Sequence, residues 1–227
     1  MLASVPLGQV QELLQDEGGV TWTTTQLLRA WNEAQKVIVV FAPEASLTTA
    51  SWQLVAAETR HAAPSGAIKI IDVMRNMGAD GATPGASIRL TTRGNLEDHV
   101  TDWHSGTGAA SITQWAPDPR NPKLFWTYPR VHASTAVFVE GTYSSVPADI
   151  DELTDTITVG DEWAAAAVNW CMYRALARDS KRTPVFARAD HYLKTFGFLV
   201  GGKLSADIKQ DPRLREHLDA PPGAGAG

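Results

Sequence analysis

The chain has 227 residues and a formal net charge of −5, enough length to bury a core in one or two domains. Its acidic balance, with no basic run of useful length, argues against a dedicated nucleic-acid binder, which gathers Lys and Arg against phosphate. A single cysteine, Cys171, excludes an intrachain disulfide and a cysteine-based zinc site, and no stretch approaches the roughly 20 apolar residues that cross a bilayer. The N-terminus lacks the basic-then-apolar pattern of a signal peptide, so a reducing, aqueous compartment is expected. Eight tryptophans are many for this size. Trp serves cores and protein interfaces alike, because it joins a large apolar area to one polar handle.

In chain order, residues 6–17 read as a first helix, with Pro6 near its start, Val10, Leu13 and Leu14 inward, and Gly18-Gly19 as its stop. A second helix, 24–41, carries Leu27, Trp31, Ala34 and Ile38 at helical spacing, capped by Thr23 or Thr24 and stopped by Pro43. Its last turn, Val37 to Phe41, is apolar on every side and must be covered by the rest of a bundle or by another subunit. From about residue 45 the helical period fades. Strands are predicted at 67–73 and 88–91, and at 124–129 and 136–143, with 130–135 as a hairpin loop between the last two. The glycine-rich spans 78–86 and 104–111 read as exposed loops.

After Pro147 the chain turns helical again, with Ser145 or Asp149 placed to cap a short turn. Residues 160–178 form a third long helix carrying Trp163, Ala167, Trp170 and Cys171, the last as a small buried hydrophobe. Thr183-Pro184 starts a fourth, with Val185, Ala189, Tyr192, Phe196 and Leu199 in step, and Gly201-Gly202 as its end. The fold class is therefore α+β: a discontinuous helical bundle (1–44 and 148–203), an inserted small β-sandwich or barrel-like module (45–147), and a flexible, extended tail (204–227).

Chemistry is harder to find. Asp98, His99, Asp102 and His104 are the tightest group of metal-ligating types, and a metal-dependent hydrolase is the reading they permit. Their spacing matches no helical His-pair motif, and a solvated turn is the plainer reading. The stretch 106–111 has Ser111 where a dinucleotide loop needs Gly or Ala at its sixth place, and lacks the following helix. No phosphate-binding loop or nucleophile elbow exists. No catalytic residue and no cofactor is expected. The surplus tryptophans point to subunit or tail contacts at Trp103 and Trp115, or to a module holding a glycan or peptide on Trp103, Trp115 or Trp126.

Four blocks in order carry a resemblance: Trp22-Thr23 before Leu27-Leu28-Arg29-Ala30-Trp31-Asn32-Glu33-Ala34-Gln35-Lys36; Ile70-Ile71-Asp72-Val73-Met74-Arg75-Asn76; Phe125-Trp126-Thr127-Tyr128-Pro129; and Trp170-Cys171-Met172-Tyr173-Arg174-Ala175-Leu176-Ala177-Arg178-Asp179. Over roughly residues 20–200 the chain resembles the head-to-tail adaptor (connector) proteins of tailed bacteriophages, especially short-tailed ones. That resemblance implies a structural virion protein, made in the host cytoplasm and placed at the head–tail junction. It implies a homo-oligomeric ring, dodecameric in this family, joining the portal protein to the tail nozzle or tail tube protein. DNA would pass through the channel during ejection without specific binding, and no membrane is involved. Portal docking would fall to Lys203, Leu204, Ile208, Arg213, Leu214, Arg215 and Leu218.

Overall fold

The computed structural model of the protein describes residues 1–178 and 183–210. It is mixed α+β, with five α-helices and two β-sheets among the described residues. The chain divides into two compact units: Met1–Ala42 with the described residues from Pro147 onward, and Pro43–Val146.

The first unit contains α1 (Ser4–Leu14), α2 (Thr24–Phe41) and, after the break, two further helices. The N-terminus of α2 is closed by reciprocal bonds. Gln26 N–H donates to the Thr23 hydroxyl, and Thr23 N–H donates to the Gln26 side-chain oxygen. Such a cap is worth about 1 kcal/mol. Leu27, Trp31, Ala34 and Ile38 form the buried stripe of α2, and Trp31 and Ile38 are fully enclosed.

Two polar residues on α2 fasten the chain that returns from the other unit. The Asn32 amide bonds both the N–H (3.0 Å) and the C=O (2.9 Å) of Ile150. The fully buried Gln35 accepts from the N–H groups of Thr158 (2.9 Å) and Val159 (3.3 Å). Lys36 adds an ion pair to Asp149 at 2.7 Å. The stretch expected to hold a short capped turn thus carries no helix. It makes one turn, in which Asp155 N–H donates to the Glu152 carbonyl and the Asp155 carboxylate, rather than Ser145 or Asp149, accepts from the Asp151 and Glu152 N–H groups; elsewhere its amides are met by the α2 side chains, as buried amides require.

A 3₁₀ turn at Asp161–Trp163 leads into a third helix of this unit, Ala164–Arg178, and Thr183–Gln210 forms the last; they are α4 and α5, because α3 lies in the other unit. Helices α1, α2 and α5 all pack on α4. Cys171 is enclosed in α4, and burial pushes its thiol well above the usual range, so it acts as an apolar filler. The expected stop at Gly201-Gly202 is not used: α5 runs through both glycines to Gln210. Glycine ends a helix by adopting a positive φ, and neither residue does so. Val200 remains buried and the Lys203 ammonium sits 5.1 Å from the centre of the Trp163 ring, so contacts with the rest of the unit continue past the pair. The expected extended tail begins as helix, and residues 211–227 lie outside the described residues.

In the second unit one sheet has the order β1 (Leu47–Gln53), β7 (Phe138–Ser145), β3 (Ala67–Asn76). The other has the order β2 (Arg60–Ala62), β6 (Leu124–Tyr128), β5 (Gln114–Pro117), β4 (Arg89–Leu90). All pairings are antiparallel except β4 with β5. The expected hairpin between β6 and β7 does not form. The two strands lie in different sheets, and the intervening Val131 and Val137 drop into the core that the sheets share. That core joins Ile70, Val73 and Val139 of one sheet to Trp115 and Phe125 of the other. Neither sheet closes into a barrel. At the centre of β7, Gly141 lies against the Asp72 carbonyl and the Trp52 ring, leaving no room for a Cβ. Helix α3 (Arg93–His99), capped by Thr92, covers part of the second sheet through Leu96, which packs with Trp103, Ala116, Trp126 and Tyr128.

Candidate functional site

The group Asp98, His99, Asp102 and His104 is exposed. His99 closes α3, its Nδ1 3.0 Å from the Asn95 carbonyl. His104 turns to the Thr59 hydroxyl at 2.9 Å, and its ring stacks on Trp103 with centroids 3.6 Å apart. Among the described residues no three His, Cys, Asp or Glu side chains gather to hold a metal ion. The two imidazoles are committed to different partners, which leaves the hydrolase reading without a site.

Trp103 and Trp115, expected at subunit or tail contacts, lie in the interior with 3% and 2% of their surface exposed. Trp115 fills the core between the sheets, and Trp103 fills the layer beneath α3. The aromatic surplus assigned to contacts is instead consumed by a small unit whose thin sheets need bulky side chains to fill it. Trp126 is half-buried, flanked by the Arg60 and Arg93 guanidinium groups at 5.3 and 5.2 Å from its ring. Both arginines already pair with carboxylates, Asp118 and Glu97. This surface is therefore neutralised, and is no phosphate cradle.

His61 sits in an environment that changes its acidity markedly. It is buried on β2, its Nδ1 accepting from the Val55 N–H at 3.2 Å, so Nε2 carries the proton and faces the Thr127 hydroxyl at 3.0 Å. Burial pushes its pKa down to about 4, because the enclosed imidazolium loses its hydration. It is a structural group far from solvent.

The exposed features of the first unit are of another kind. A groove of about 500 Å³ is lined by Val37 and Phe41 of α2, Trp170 of α4, and Leu193, Phe196, Gly197, Val200 and Gly201 of α5. Every lining residue is apolar or glycine. Val37 and Phe41 also border a neighbouring hollow edged by Arg29, Glu33, Lys36 and Asp149. The all-apolar last turn of α2 is covered only on part of its circumference: Ile38 and Val39 are buried, while Val40 and Phe41 remain 67% and 60% exposed. On α5, Phe186, Leu193 and Phe198 are exposed as well. The contiguous apolar surface of the groove itself, from Val37 and Phe41 to Leu193 and Val200, is of the sort that marks an interaction site in a folded protein. An added Cβ at Gly197 would meet nothing within 4 Å, so no neighbouring atom requires glycine there.

Of the residues expected at portal docking, Lys203 lies on α5 beside Trp163. The side chains of Leu204 and Ile208, and all of Arg213, Leu214, Arg215 and Leu218, lie outside the described residues. No helix among the described residues is long and apolar enough to cross a membrane. What the described residues of the first unit offer is an apolar contact surface. No curated protein matches the chain. The family model described as SU10 adaptor protein matches residues 7–213, which spans both units. The chain belongs to the SU10 adaptor protein family, and is thereby a structural protein of the phage head-to-tail adaptors.

Proposed function

We propose that this protein forms the ring between the portal protein and the tail nozzle or tail tube of a phage. Copies join around a common axis, twelve in number as the family resemblance implies, and the ring continues the channel through which DNA leaves. The observation that carries this reading is the apolar groove between α2 and α5 with its exposed rim of Val40, Phe41 and Leu193. A neighbouring copy covers that surface, removing from water what the isolated chain leaves wet. Weak contacts repeated around a closed ring gain strongly from multivalency. Portal docking falls to the end of α5 and the residues beyond it, from Lys203 to Leu218. The net charge of −5 suits a conduit that must not retain DNA. The protein is made in the host cytoplasm and ends in the virion.

Electron microscopy of the purified protein mixed with its portal tests this. Rings seated on the portal are expected for the wild type, and Phe41→Glu should stay folded by circular dichroism while losing them. A wild-type protein that remains monomeric with and without portal refutes the ring. Rings of Phe41→Glu as abundant as the wild type refute the groove as the seam.

A further inference from the structure

Each sheet has two edge strands: β1 and β3 in one, β2 and β4 in the other. An edge strand shows a row of unpaired N–H and C=O groups, and proteins blunt such rows with short strands, charge, bulges or covering chain. Three of these edges are blunted. β2 has three residues and carries Arg60; β4 has two and carries Arg89. β3 carries Lys69, Asp72 and Arg75, and its register against β7 breaks three times. Its outer side is also used: Ile70 N–H donates to the Pro122 carbonyl at 2.9 Å, and Asn76 N–H to the Ala86 carbonyl at 3.0 Å.

β1 has none of these devices. Its seven residues, Leu-Thr-Thr-Ala-Ser-Trp-Gln, include no charge, proline or glycine, and its register with β7 is unbroken. Two flanking bonds set its phase: Ser145 N–H to the Ser46 carbonyl at 3.0 Å, and Leu54 N–H to the Val137 carbonyl at 2.9 Å. Alternate residues of an antiparallel pair bond to each other, so Thr48, Ala50 and Trp52 bond to β7. The N–H and C=O groups of Leu47, Thr49, Ser51 and Gln53 then point away from it. The short Thr49 to Thr142 hydroxyl distance, 2.9 Å, is the close approach of a non-bonded pair and agrees with this phase. No described residue accepts a hydrogen bond from these four N–H groups, and all four residues are exposed.

We propose that the outer edge of β1 is a docking site for an extended segment of a different virion protein, which adds to the sheet as a further strand. Main-chain bonds to Thr49 and Ser51 supply the affinity, and the uncharged Thr49, Ser51 and Gln53 side chains favour a strand rich in Thr, Ser or β-branched residues over a charged one. The choice of a different protein rests on the ring reading above. Pairing of β1 with the β1 of a second copy is two-fold and satisfied by one neighbour, which equivalent copies around a single axis do not allow.

The test is amide hydrogen exchange, resolved to single residues, on the free protein and on the protein within purified virions. In the free protein Thr49 and Ser51 should exchange roughly 100-fold or more faster than Thr48 and Ala50. In the virion they should become as slow as their neighbours. A double variant, Thr49→Pro with Ser51→Pro, removes no main-chain β1–β7 bond, since those N–H groups leave the ladder, and gives up only the Thr49–Thr142 hydroxyl contact. It should fold, form rings, and be incorporated into particles at least about tenfold less than the wild type. Ser51→Lys, which keeps its N–H, should lower incorporation to a smaller extent. Fast Thr49 and Ser51 amides in the virion, or wild-type incorporation of the double proline variant, overturn the inference and leave the ring untouched. Protection already complete in rings purified without other proteins makes a second copy the occupant and also overturns it. Absence of the wild-type protein from both portal complexes and virions removes the ring reading itself.

Discussion

Acid should weaken the β unit through one residue, His61, in a pH range where carboxylates still hold their charge. Its folded pKa is about 4, against an ordinary value of 6.5, so the unfolded chain binds the proton more readily than the folded one. A depressed folded value means that the neutral form belongs to the fold, and stability is fully present above pH 6.5. It is lost as pH falls from 6.5 towards 4, at about 1.4 kcal/mol per pH unit. By pH 5 the loss is about 2 kcal/mol, and its ceiling is about 3 kcal/mol. Asp16, Asp80 and Asp155 have pKa values held down mainly by backbone N–H donors. Their contributions fade only below the ordinary carboxylate value, so they do not act at pH 5 and above. Urea unfolding followed by tryptophan fluorescence suits the measurement, because Trp52 and Trp115 lie on the same core as the His61 strand's neighbour Phe125. His61→Gln keeps a polar group and removes the titration. The wild type should lose about 2 kcal/mol more than this variant between pH 7 and pH 5. Equal losses for the two proteins would refute the assignment.

Two further substitutions test the packing. Gly141→Ala places a Cβ against the Asp72 carbonyl and within 2.6 Å of the Trp52 ring; a loss of about 3 kcal/mol in chemical denaturation is expected, and a loss under about 1 kcal/mol would mean that β7 shifts freely. Gln35→Leu leaves the Thr158 and Val159 N–H groups without their acceptor. It should cost about 2–4 kcal/mol, with faster exchange of those two amides as the specific readout.

Helix α2 was readable because every local signal agrees: the Thr23 cap, the apolar stripe through Trp31, and Pro43 beyond the end. β3 and β6 were readable from their β-branched and aromatic residues. β1 escaped notice because Leu-Thr-Thr-Ala-Ser-Trp-Gln shows no apolar alternation, and indeed none of its residues is buried. α3 is only seven residues long and buries a single side chain, Leu96, which leaves no period to see. The false hairpin arose because sequence neighbours usually pair, whereas Val131 and Val137 draw the β6–β7 connection across the core. The run of α5 through Gly201-Gly202 depends on contacts of Val200 and Lys203 with distant residues, which no local rule contains. The candidate surface was half legible. The apolar last turn of α2 signalled that it needed cover, but the placement of Trp103 and Trp115 inside the β unit was invisible without the fold.

The order of the helices sets a timetable for synthesis. Helices α1 and α2 leave the ribosome first, yet α4, on which α1 and α2 pack, ends at Arg178. The β unit is complete at Val146. At roughly 5–20 residues per second, the stretch from Val146 to Arg178 takes a few seconds to emerge. During that interval a finished sheet unit hangs between two ends of an unfinished one, with the apolar stripe of α2 still exposed. Nascent chains are vulnerable to premature contact with one another at this stage, before the latch of Asn32 and Gln35 has a segment to hold.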